Sequence, residues 1–201
     1  MNTDECYVLG NGPSLAKIDN LILDSLPTFG SNKIFLKYVP NFYCCINPTE
    51  ALKYPLEIEV MESTKFVTNN VPIKGCTPLK STNTVQFSTN PYWAVNEGYS
   101  ATYVLLQIAH FLGFRTVYLL GVDHHYEDYK GSPNELIKWK GRDPNHFSED
   151  YLKENDAWNC PDLKKSEFYY RIAKQVFEGS GRKIINLTEG SALDVFEKRI
   201  L

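Results

Sequence analysis

Cys6-Tyr7-Val8-Leu9-Gly10-Asn11-Gly12-Pro13-Ser14-Leu15 is the stretch on which the fold turns. Its first four residues form an apolar run of strand length, stopped by glycine. Pro13 stands where the first turn of a helix tolerates a residue without an N–H, and Leu15, Ile18, Leu21 and Ile22 recur at helical spacing. The pattern predicts a buried strand entering a glycine turn and then a helix. Two glycines let a backbone approach a ligand closely, and a helix start offers unpaired N–H groups to an anion. The same residues equally fit a tight strand-to-helix turn in which Ser14 caps the helix. No Gly-Lys-Ser/Thr follows, so this is not a Walker A loop, and Pro13 interrupts the glycine spacing of the usual dinucleotide fingerprint.

Outward from this turn, strands and helices alternate. Thr28-Phe29-Gly30 and Phe42 to Ile46 read as strands, with Lys65 to Thr68 and Val85 to Ser88 as further candidates. Ala101, Val104, Leu105, Ile108, Phe111 and Leu112 mark a helix ended by Gly113, and Thr116 to Leu120 is the strand after it. Residues 124–160 hold many polar and aromatic residues without a clean period, as a lid or binding loop would. Tyr169, Ile172, Ala173, Val176 and Phe177 define a long helix, and Lys183 to Leu187 a last strand, followed by Thr188-Glu189-Gly190-Ser191 and a short helix. The expected fold class is α/β: one Rossmann-like domain over residues 1–201, a largely parallel sheet with helices on both faces and a lid-like insertion at about 124–160.

Composition narrows the function. With 43% hydrophobic and 22% charged residues in 201, the chain can bury a core unaided. A net charge of −3 argues against duplex nucleic acid as partner. Asp4 and Glu5 precede only a short apolar run, and no stretch approaches a membrane span, so a cytoplasmic protein without a membrane span is expected. The five cysteines have no CxxC spacing, and buried free thiols are the expectation for Cys6, Cys44 and Cys45. A homo-oligomer is compatible with all of this.

Ligands of such sheets bind outside the carboxyl ends of the strands. Four polar clusters fall there: Gly10 to Ser14, Ser31-Asn32, Asn47-Pro48 and Gly121-Val122-Asp123. Amides at Asn11, Asn32 and Asn47 can read ribose hydroxyls or a base edge, and each also fits ordinary turn chemistry. Asp123 can orient a ribose, coordinate Mg²⁺ or cap its loop. His124, His125, Asp128 and Asp143 could join it in a metal site, though no ligand spacing fixes one and no metal ligand is assigned. Arg115, Lys130 and Arg142 are cations that could reach such a pocket, and His110 reads as a structural helix residue.

Gly10-Asn11-Gly12-Pro13-Ser14-Leu15, the strand ending near Asn32, Asn47-Pro48 and Leu120-Gly121-Val122-Asp123 together resemble the family 42 sialyltransferases, over nearly the whole chain. They resemble at least as much the bacterial proteins that share the domain of the archaeal 6-hydroxymethylpterin diphosphokinases, many of them associated with surface-polysaccharide synthesis. Asn186-Leu187-Thr188 through Val195-Phe196 is closer to the second group. The first resemblance implies a CMP-sugar donor held by the glycine turn and by Asn11, Asn32 and Asn47, with Ser100, Ala101 and Thr102 lining the donor site. It implies inverting, metal-independent transfer with no cofactor, tyrosines on the leaving phosphate (Tyr126 and Tyr129 here) and a histidine base. Where that family places its histidine, this chain reads Ala157-Trp158-Asn159-Cys160. His146 is the nearest substitute, and an imidazole suits proton removal near neutral pH; a surface-loop histidine is the plain alternative.

Three functions follow. One is a glycosyltransferase acting between a CMP-activated acidic sugar and a glycan acceptor in surface-glycan synthesis. Another is a diphosphokinase using Mg²⁺ and ATP on a pterin-like alcohol. The last is a non-catalytic nucleotide-binding protein.

Overall fold

The computed structural model describes residues 3–127 and 129–201; Asp128, one of the metal-ligand candidates, lies outside them. In chain order the elements are β1 (Glu5–Leu9), a 3₁₀ turn (Pro13–Lys17), α1 (Asn20–Leu23), β2 (Thr28–Ser31), a second 3₁₀ turn (Ile34–Leu36), β3 (Phe42–Cys45), α2 (Pro48–Lys53), α3 (Pro55–Val60), β4 (Thr64–Thr68), β5 (Cys76–Leu79), β6 (Ser81–Thr82) and β7 (Val95–Asn96). They continue with α4 (Ala101–Phe111), β8 (Thr116–Leu120), β9 (Leu136–Lys138), β10 (Ala157–Asn159), α5 (Leu163–Gly179), β11 (Lys183–Asn186) and β12 (Glu197–Lys198). Eight strands form one sheet in the order β12-β11-β8-β1-β2-β3-β4-β5, every pair parallel. The Rossmann-like α/β expectation holds.

Strand periodicity explains the layers. Cys6 and Val8 of β1, Cys44 of β3, and Val117 and Leu119 of β8 enter the core under α4 and α5. Their neighbours Tyr7, Leu9, Tyr43, Cys45 and Leu120 face Leu15, Leu23, Ala51 and Ile58 on the other side. A period-2 strand apolar at every position must be covered on both faces, and this sheet is. Helix α4 lies deepest: Thr102 through Ala109 are all buried. The three strand cysteines are buried free thiols, and burial pushes the Cys45 thiol up to about 12.

Three local expectations are corrected. Leu15 to Ile22 is not one helix: the backbone is extended at Ile18 and Asp19, and the Asp19 carboxylate accepts from Leu21 N to start a new turn. Val85 to Ser88 forms no strand. Its Ser88 N–H goes instead to the side chain of buried Gln107, which also bonds Asn96 through both ends of its amide. On that side the sheet ends at β5, whose Pro78 suits a strand bonded on one side only. The segment after Ser191 is not helical. Asn186 Nδ2 donates to Ser191 Oγ and Leu193 O, and β12 then adds to the sheet.

Residues 124–160 fold into a unit rather than a bare loop. The hairpin β9–β10 encloses Trp139, Tyr151 and Leu152, with Tyr129, Phe147 and Trp158 packed around them. No helix among the described residues is long and apolar enough to cross a membrane.

Candidate active site

The carboxyl ends of β1, β2, β3 and β8, the N-terminus of α4 and the 124–160 unit enclose a cavity of about 570 Å³. That volume is typical of small-molecule sites. Its floor is the predicted glycine turn. Gly10 N donates to Leu120 O, and Gly12 N to Gly121 O. A Cβ at Gly10 would sit 2.2 Å from Gly121 O, and one at Gly12 would sit 1.9 Å from Asp123 Oδ2. Both glycines are therefore required by contact with the β8 turn, independently of any ligand.

Asp123 fastens the two turns together. Its carboxylate accepts from Ser14 N at 3.1 Å and Ser14 Oγ at 2.8 Å, so the aspartate caps the turn that Ser14 was expected to cap. Burial raises the Asp123 pKa, against the Ser14 hydrogen bonds that lower it. The next loop holds this turn from behind: Val122 N donates to Thr188 Oγ1, Ser191 Oγ to Val122 O, and Ala192 N to Asp123 O. Gly10, Asn11, Gly12 and Asp123 line the cavity, whereas Pro13 and Ser14 do not.

The three asparagines all line the cavity, in three different states. Asn11 Nδ2 donates to Ser31 O at 3.3 Å, while its Oδ1 is buried without a partner. Asn32 occupies the left-handed region (φ 54°), which asparagine tolerates, and its carbonyl accepts from Tyr43 OH. Asn47 caps α2, its Oδ1 accepting from Thr49 N. Turn chemistry is thus realised at Asn32 and Asn47. At Asn11 it leaves an acceptor unused.

Ser100, Ala101 and Thr102 bring the start of α4 to the wall, as expected. Ser100 does not cap its helix; its Oγ lies 2.7 Å from Tyr170 OH of α5. The first N–H groups of α4 thus face the cavity with the positive end of the helix dipole. Tyr99 and His124, like Asn32, have positive φ (57° and 56°), and both line the cavity. Backbone strain of this kind gathers at functional sites.

The 124–160 unit supplies the opposite wall. His146 Nδ1 lies 2.7 Å from Asp143 Oδ2, and its ring stacks on Tyr151 with centroids 3.9 Å apart and planes nearly parallel. Asp143 is fully buried and also accepts from Asn145 N and Leu152 N. A carboxylate accepts, so Nδ1 is the nitrogen that donates to Asp143, and Nε2 has no protein partner among the described residues. Tyr126 and Tyr170 also line the cavity, and burial raises both phenols, which remain hydrogen-bond donors. Tyr129 is a correction: it packs edge-on against Trp158 inside the unit and does not line the cavity.

The unit is closed onto the sheet by specific bonds. Phe147 N donates to Asn11 O, and Lys33 Nζ, 1% exposed, donates to Tyr151 O. Lys33 also lies 3.7 Å from Glu50 and 3.6 Å from Asp156, which pairs with Lys53.

The candidate metal cluster is not assembled. His124 faces Glu167, His125 faces Glu127 and Asp143 holds His146; no group of three or more His, Cys, Asp or Glu among the described residues could hold a metal. Arg115, Lys130 and Arg142 do not reach the cavity: Arg115 pairs with Asp4 and Arg142 with Glu149. Among the described residues no lysine or arginine lines it. His110 is structural, edge-on to Phe87 and Phe177. Sequence reasoning missed Glu50, Tyr151 and Tyr170, and the orienting role of Asp143. Only the three-residue spacing of Asp143 and His146 could have signalled any of these.

No family model matches the sequence, and no curated protein matches it with significance. Among solved structures, a MAf glycosyltransferase from Magnetospirillum magneticum AMB-1 is similar, at 13% identity and a TM-score of 0.60 over 99% of this chain. The chain spans 34% of that protein's length. A likeness this distant in sequence is a likeness of fold, and it matches the parallel α/β architecture described above.

Proposed function

We propose that this chain is a nucleotide-sugar-dependent glycosyltransferase that takes a CMP-activated acidic sugar and transfers it, with inversion and without a metal, to a glycan hydroxyl in surface-glycan synthesis. The observation that carries the reading is His146 on the cavity wall, its Nδ1 held by the buried Asp143 behind it. His146 Nε2 takes the proton of the acceptor hydroxyl as its oxygen attacks the anomeric carbon. The bond from that carbon to the phosphate oxygen breaks, and CMP leaves with its electron pair. Asp143 keeps the imidazole in the required tautomer and stabilises the imidazolium that forms. The protonated Tyr126 donates to the leaving phosphate, and the free N–H groups of α4 favour the anionic part of the donor. Asn11, Asn32 and Asn47 hold the nucleotide along the strand ends. Similarity in fold to a protein described as a glycosyltransferase supports the reaction class.

Titration calorimetry with CMP in the presence of a chelator tests the donor. Binding without a divalent cation is expected. Stabilisation by ATP that needs Mg²⁺, with none by CMP, would replace this reading with diphosphoryl transfer.

A further inference from the structure

Four carboxylates among the described residues line the cavity: Glu50, Glu97, Asp123 and Asp162. Three of them are engaged by the protein. Asp123 accepts from Ser14, Asp162 accepts from Asn134 Nδ2 at 3.0 Å and pairs with Lys165, and Glu50 is paired with Lys33. Glu97 is different. It is exposed, and its carboxylate makes no hydrogen bond or ion pair among the described residues.

The backbone under Glu97 is fixed on both sides. Before it stands buried Asn96, whose N–H donates to Gln107 Oε1, whose Nδ2 donates to Thr82 O at 3.1 Å, and whose Oδ1 accepts from Gly98 N at 2.8 Å. After it, Gly98 and Tyr99 both occupy the left-handed region (φ 56° and 57°), and Ser100 N donates back to Glu97 O. Gly98 is required there, since a Cβ would sit 2.2 Å from the Tyr103 ring. Two successive left-handed residues, one of them a tyrosine, persist only where the surroundings enforce them.

This turn stands over the strand ends. Helix α4 packs across β1, β2 and β3, and the turn leads into it at the cavity. Burial pushes the Cys44 thiol of β3 well up, and the charges of Cys45 and Glu97 add to it, so Glu97 is within electrostatic reach of that strand. Ile46 and Asn47, just beyond β3, line the same cavity. A free carboxylate repels phosphate, so the group that meets it belongs to the uncharged end of a nucleotide. From β1 to β3 is two strand spacings, about 10 Å. With the phosphate at the β1 turn, the base edge is the part of a nucleotide that lies so far out. At that edge cytosine carries an amine, which donates, where uracil carries a carbonyl, which only accepts; a carboxylate matches the amine.

We infer that the Glu97 carboxylate accepts a hydrogen bond from the exocyclic amine of the bound base, and thereby selects cytidine over uridine nucleotides. The inference deepens the proposed function and rests on its nucleotide reading of the cavity.

Calorimetry with CMP and UMP, on the wild-type chain and on Glu97→Gln, tests it. In UMP a hydrogen bond to a charged acceptor is replaced by two opposed acceptors, so the wild type should bind UMP about tenfold more weakly or worse. A glutamine amide can turn and donate to the uracil carbonyl. Glu97→Gln should therefore weaken CMP and strengthen UMP, a gain that a merely solvated surface carboxylate would not give. Equal wild-type affinities overturn the inference, and that comparison needs no variant. A variant that weakens both nucleotides alike, or changes neither, overturns it as well. If AMP binds and CMP does not, the CMP donor fails alone, and the amine contact is read on AMP against IMP. If UMP or IMP binds and neither CMP nor AMP does, the inference fails and a nucleotide site remains. No binding by any of the four overturns both.

Discussion

The two walls of the cavity are built by opposite means. The strand-end wall is backbone against backbone: Gly10 and Gly12 touch Gly121 and Asp123 so closely that no side chain fits, and Ser14, Thr188 and Ser191 lock the contact. The 124–160 wall is side chain against side chain, a small aromatic core joined to the sheet by Lys33, Lys53 and one backbone bond to Asn11. The first arrangement is rigid because it continues the sheet. The second is positioned by a few charged and polar contacts and can be loosened without touching the sheet. Under the proposed function, binding surface and chemical group are divided between the walls.

The largest expected effect breaks that division on its chemical side. His146→Ala should lower transfer by about 10²–10⁴-fold, the usual range for a general base, with CMP affinity retained because the strand ends are intact. Single-turnover transfer alongside calorimetry separates the two. Asp143→Asn should act in the same direction. An affinity loss as large as the activity loss would place His146 in binding instead.

On the strand-end side, Gly12→Ala pushes a methyl into the Asp123 carboxylate and should destabilise the whole fold by about 3 kcal/mol, measured by urea denaturation. Lys33→Met tests the other wall. It leaves Glu50 without its ion-pair partner and Asp156 with Lys53 alone, and should cost about 2 kcal/mol, felt locally. Hydrogen exchange should show lost protection over residues 139–158 while β1 and β8 stay protected. Uniform loss across both regions would contradict the division.

The smallest effect is a pH dependence. Burial lowers the pKa of His124 below 6.5 against its Glu167 partner, and that of His110 with help from Arg182. The unfolded chain therefore takes up protons as pH falls through 6.5 before the native state does, so stability rises with pH across that window and is lost below it. The melting temperature should fall from pH 7.5 to 5.5, and His124→Gln should flatten part of the slope. The raised carboxyl of Glu50 acts with opposite sign at lower pH, above 4.5, where ionisation on raising the pH costs the native state stability.

Much of this was legible from residues in a row. Cys6 to Leu9, Phe42 to Cys45 and Val117 to Leu120 are apolar at every position, and such strands must be buried on both faces. That requirement, with helices between, determines a parallel sheet and therefore a ligand site at its carboxyl end, where the Gly10–Ser14 turn, Asn11, Asn32, Asn47 and Asp123 all stand. Local signals misled where a distant side chain supplied the hydrogen bonds, as Gln107 does for Ser88 and Asn186 for the segment after Ser191. The roles of Asp143, Glu50 and Tyr170 depend on contacts that join separate segments of the wall, and Lys33 reaches across 118 positions to Tyr151. The sequence by itself determined the sheet and the ends of its strands, because strand burial is a property of neighbours along the chain. Only the tertiary structure decided which side of Asp123 faces Ser14, which imidazole nitrogen stays open and which acceptors go unused, because those depend on groups that meet only after the chain has closed.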